Sequence, residues 1–107
     1  MKLVIMESPY AGDIELNKRY ARLCMKDCLD RGEAPMVSHL LYTQVLADDI
    51  PLERQQGIDA GLAWLIVADK SVVYTDLGIS DGMNYGMSLA FKSNIPIEYR
   101  KLKGWKV

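Results

Sequence analysis

The chain has 107 residues, half of them hydrophobic and a quarter charged, with a formal net charge of −1. That length supports one domain with one core, and the near-neutral balance carries no basic footprint for duplex nucleic acid. No apolar run approaches the roughly 18 residues of a membrane span, and Met1-Lys2 passes straight into "LVIM" without a secretory core or cleavage site, so the chain reads as a cytoplasmic protein with no membrane partner.

Taken in chain order, "KLVIMES" is a short apolar run that stops at Ser8-Pro9, which predicts a strand over 2–7. Asp13 is a good N-cap, and Leu16, Tyr20, Leu23, Cys24, Met25 and Cys28 form an apolar stripe that predicts a helix ending near Gly32. Cys24 and Cys28 lack zinc-site spacing and read as buried or half-buried free thiols. "APMVS" predicts the second strand, and "HLLYTQVLADDI" a loop with room for one helical turn. Pro51 suits a first helical turn, and the following segment to Ala68 predicts a second helix, apolar on every side in its last half. Such a surface is buried in the fold or against another copy, so residues 58–67 predict a homo-oligomer contact, with Trp64 buried and Trp105 exposed. Within it, Gly57 and Gly61 allow close approach of another backbone. "SVVYTD" predicts the third strand, Ser80 caps a third helix to about Ser93, and "IPIEYR" is the fourth strand. The basic tail "KLKGWKV" reads as loosely held.

Strands alternating with helices predict a doubly wound parallel α/β sheet, in the order 2-1-3-4, with helices on both faces. Ligands bind such sheets beyond the carboxyl ends of the strands, at the point where the strand order reverses. The segments meeting there carry the candidate ligand-binding residues: Ser8, Pro9 and Tyr10 after the first strand, Asn17 on the first helix, His39 after the second strand, and Asp76 after the third. Ser80, Asp81, Gly82, Met83 and Gly86 open the third helix. Tyr10 can stack on a flat ring, and the free amides of a helix start favour an anion. His39 has no evident serine or cysteine partner along the chain, so no nucleophilic triad is expected. Nor does any residue cluster suggest a metal, and no cofactor is expected.

The stretch "ISDGMNYGMSLA" places Gly82 and Gly86 on one face of a helix, where each glycine costs about 1 kcal/mol relative to alanine. Together with "SPYAGD", "PMVSHLLYTQVLADDIPLERQQGIDAGL" and "NIPI", it resembles the nucleoside 2-deoxyribosyltransferase-like superfamily, in particular small members common in phages and bacteria. The resemblance spans nearly the whole chain. It implies a doubly wound fold, a nucleoside or nucleotide ligand, an oligomeric assembly and chemistry at N-glycosidic bonds. The superfamily's motif is similar to G-[TM]-x-x-E-x-x-x-A, whose glutamate attacks the anomeric carbon. Gly82, Met83 and Ala90 match it, but the glutamate position falls on Gly86, and Ser80 stands where relatives carry an acid.

The resemblance therefore implies a non-catalytic binder of a nucleoside, nucleotide or nucleotide-derived signal, sequestering such a signal in the host cytoplasm if the gene is viral. Its pocket is expected to be enlarged and less negative, suited to a phosphate-bearing ligand. One alternative is an N-glycosidase or deoxyribosyltransferase with a substitute carboxylate: Glu7, Asp76 or Asp81, or Asp48 and Asp49 across a subunit contact. Another is a structural or interaction protein that retains the fold alone.

Overall fold

The computed structural model describes residues 1–106. Its sheet contains β1 (Lys2–Glu7), β2 (Glu33–Met36), β3 (Lys70–Tyr74) and β4 (Ile97–Arg100). They are all parallel and lie in the order β2-β1-β3-β4. The helices are α1 (Ile14–Asp30), α2 (Ser38–Leu41), α3 (Pro51–Leu62) and α4 (Asp81–Lys92). This is the doubly wound arrangement expected from the alternation of strands and helices.

Strand alternation divides the core in two. Val4, Met6, Val72 and Tyr74 pack with Tyr20, Ala21, Cys24 and Cys28 of α1 in one cluster. Ile5 packs with Leu65 and Ala90 in the other, with Leu62, Leu89 and Ile97 around them. Cys24 and Cys28 are buried free thiols, and burial pushes both up from their ordinary values. Beneath α1, Arg100 donates to both oxygens of buried Glu33, at 2.7 and 2.6 Å. The guanidinium holds the Glu33 carboxyl down to about 2.

Several boundaries differ from the expectations. The second strand is shifted, because Ser38 already begins α2. α3 stops at Leu62, and Ala63–Val67 tightens into a 3-10 helix, the usual way a final turn narrows. Only Leu65 of that segment is buried, whereas Trp64, Ile66 and Val67 are exposed. The tryptophans are thus reversed. Trp105 packs edge-on against Tyr20 with ring centroids 4.8 Å apart, under the Arg19 guanidinium.

The tail is correspondingly fastened rather than loose, through Leu102 and Trp105 on the α1 side of the core. The Leu102 amide donates to Asp76 at 2.9 Å. No helix among the described residues is long and apolar enough to cross a membrane.

Candidate functional site

A cavity of about 320 Å³ opens at the carboxyl ends of the strands. Its floor includes Ile5, Met6 and Met36. β1 delivers Glu7 and Ser8 to the rim, and the loop after it delivers Tyr10. That loop turns at Gly12, whose φ of 99° is costly for any residue with a side chain. Asn17 holds it, donating to the Tyr10 and Ala11 carbonyls at 2.9 and 3.0 Å.

α2 contributes His39, whose Nε2 lies 2.8 Å from the buried Ser8 hydroxyl. This serine partner is not evident along the chain, because it comes from a different strand end. Burial pushes His39 down to about 4, so the imidazole is neutral at physiological pH. The Tyr10 ring meets the His39 ring edge-on at 6.0 Å.

α4 closes one wall. The Ser80 hydroxyl accepts from the Met83 amide at 3.3 Å and caps the helix. Ser80, Asp81, Gly82, Met83 and Gly86 all line the cavity. The Gly86 position is the key to the wall. A Cβ built there would lie 2.8 Å from Glu7 Cδ, 3.3 Å from Oε1 and closer still to Oε2. The space vacated on the helix is therefore occupied by a carboxyl group from β1. This overturns the expectation of an enlarged pocket. Burial pushes Glu7 up to about 8, and no hydrogen bond reaches its carboxyl among the described residues.

Three candidates from the sequence lie outside the cavity lining. Both amide hydrogens implied by the Asn17 contacts serve the first loop. Pro9, in that loop, is buried. Asp76 accepts from the Tyr20 hydroxyl at 2.6 Å and from the Leu102 amide, so its carboxylate anchors the tail. It lies beyond β3, which ends at Tyr74 and not at residue 76.

The α3 side was not foreseen as part of the site. Tyr42, Arg54, Ile58 and Gly61 line it, along with Asp48 and Glu53. Glu53 accepts from the Ala47 amide at 3.0 Å, and Arg54 faces Asp48 at 3.7 Å. Of the proposed pair of aspartates, only Asp48 reaches the cavity, and it does so within one chain. A signal for this wall existed in Gly57 and Gly61: Gly61 meets Ser38, where an added Cβ would lie 2.5 Å from the serine Cβ. That contact holds α3 against α2 and brings its first turns over the cavity. No grouping of histidine, cysteine and acidic side chains suited to a metal ion occurs among the described residues.

Fold and cavity together define a doubly wound parallel α/β protein with a partly enclosed pocket at its switch point, apolar at its floor and bearing carboxyl groups along its walls. Residues 2–100 match the family described as a domain of unknown function, DUF7768, and the chain belongs to that family. No curated protein and no solved structure matches it.

Proposed function

We propose that the chain binds a nucleoside, nucleotide or nucleotide-derived signal without transforming it. The observation that carries this reading is the switch-point cavity, with its apolar floor, the aromatic Tyr10 at its rim and a few convergent polar groups. Pockets of this kind take flat, hydrogen-bonding ligands of modest size. The resemblance to the nucleoside 2-deoxyribosyltransferase-like superfamily supports the same ligand class. The charge of the lining favours a nucleoside over a polyphosphate, because Asp48, Glu53 and Asp81 face only Arg54.

The test is to incubate the purified chain with nucleosides, nucleotides, cyclic dinucleotides and ADP-ribose derivatives. Protein and small-molecule fractions are then analysed by mass spectrometry, before and after heat release. A compound depleted from solution and recovered intact supports the reading, and absence of any depletion overturns it.

Glu7 favours a second reading, an N-glycosidase or deoxyribosyltransferase with a substitute carboxylate. Its carboxyl fills the place where the superfamily motif puts a glutamate. A group pushed up to about 8 is mostly protonated at neutral pH, which suits protonation of a leaving base better than nucleophilic attack. Release of free base in the same incubation would establish this alternative.

Self-association through residues 58–67 belongs to the proposed reading as well. The exposed Trp64, Ile66 and Val67 support it. Sedimentation at micromolar concentration should give an oligomer, and a monomer would remove that part.

A further inference from the structure

We propose that Glu7 binds the ligand as a neutral carboxyl group, paired edge to edge with an amino-substituted heteroaromatic base of adenine or cytosine type. This inference rests on the nucleoside reading above and narrows it. It begins with the fit between Glu7 and Gly86. The carboxyl sits where even a methyl group on α4 would collide with it, so the strand and the helix together hold it on the cavity wall.

The carboxyl has no partner of its own. Among the described residues no N–H or O–H donates to it and no cation forms an ion pair with it. The charged and titratable groups lining the cavity come from every element around it. They are His39 on α2, Asp48 in the loop before α3, Glu53 and Arg54 on α3, and Asp81 on α4. The phenols of Tyr10 and Tyr42 complete the set. His39 is kept neutral by burial, and Arg54 already faces Asp48. Burial alone raises the Glu7 carboxyl. An unpaired anion in such a place is costly, and the group keeps its proton instead.

A neutral carboxyl presents an O–H donor beside a C=O acceptor, whereas an ionised one only accepts. The neutral form complements a ring nitrogen flanked by an amino group. The O–H donates to the ring nitrogen, the carbonyl oxygen accepts from the amino group, and no proton changes owner. Adenine and cytosine carry that edge. The ionised form would instead select the two adjacent donors of guanine.

The test is calorimetric titration of the chain with adenosine, cytidine, guanosine and uridine, from about pH 6 to about pH 9. Adenosine or cytidine should bind with an affinity that is flat up to about 8 and then falls. Beyond that point the fall should be about tenfold per pH unit. Glu7→Gln, whose amide keeps a donor beside an acceptor, should bind within a few-fold of the parent and lose the pH dependence. Glu7→Ala should bind roughly tenfold or more weakly. Gly86→Ala, which displaces the same carboxyl from the helix side, should weaken binding without touching residue 7. Circular dichroism establishes that each variant is folded.

Preference for guanosine or uridine, affinity that strengthens with rising pH, or abolition of binding in Glu7→Gln would each overturn the inference and leave the nucleoside reading standing. Absence of binding by all four nucleosides to the parent chain would overturn the inference, and the reading above falls with it only if the nucleotides, cyclic dinucleotides and ADP-ribose derivatives are not depleted either.

Discussion

Replacing Glu7 by Gln should make the folded chain more stable at neutral pH while leaving its stability in mild acid unchanged. The carboxyl is pushed from an ordinary 4.5 up to about 8 by burial. Between those values the folded chain keeps the proton that the unfolded chain has lost. Stability is therefore fully present below 4.5 and declines as pH rises towards 8. Each unit of that window corresponds to about 1.4 kcal/mol. At pH 7 the loss amounts to roughly 3 kcal/mol, a large share of the roughly 5–15 kcal/mol that holds a domain folded. Glutamine carries no proton to lose and keeps the carboxyl's shape against Gly86. His39, pushed down to about 4, has the opposite slope below about 6.5, but it is present in both proteins and cancels in the difference. Urea unfolding of both proteins across this pH range measures the effect. The difference should be near zero at the acid end and open to roughly 3 kcal/mol at pH 7. Parallel curves would refute the burial of an unpaired carboxyl.

Other substitutions test other parts of the frame. Gly61→Ala should destabilise by about 1–3 kcal/mol despite its gain in helix propensity, because the new methyl meets Ser38 Cβ at 2.5 Å. Adding Ser38→Gly should recover much of that loss, whereas Gly57→Ala, whose nearest neighbour is 3.4 Å away, should be tolerated in urea unfolding. Arg100→Leu strips Glu33 of its two-point partner, leaves it Lys70 alone at 3.2 Å, and should cost about 3 kcal/mol. The double change Arg100→Leu, Glu33→Leu should cost markedly less by thermal melting, since it leaves no half-paired buried carboxylate while Lys70 keeps Glu98. Tyr10→Ala should weaken ligand binding by titration calorimetry while the melting temperature stays near that of the parent.

The order of the strands was legible because apolar runs and helical stripes alternate so regularly. β1, α1 and α4 were placed almost to the residue by Ser8-Pro9, Asp13 and Ser80. The end of α3 was not, because apolarity all round a segment does not say which side the fold covers. Here only Leu65 turns inward. Trp105 was misjudged from the lysines around it, although Leu102 and Trp105 are large apolar residues in an otherwise basic tail. Their contacts depend on Tyr20 and on Asp76, far away in the chain. The site shows the same limit. Glu7 and Gly86 each drew attention alone, but neither position contains any sign of the other. Ser8 and His39 likewise meet only because β1 and β2 are neighbours.

The fit of Glu7 against Gly86 also bears on which sequences this family member can reach by single steps. A side chain at position 86 meets the far end of the Glu7 side chain, which must swing aside, so the two positions are coupled without excluding each other. The acid can therefore pass from strand to helix one substitution at a time, with Asp81 keeping an acid on the α4 wall throughout.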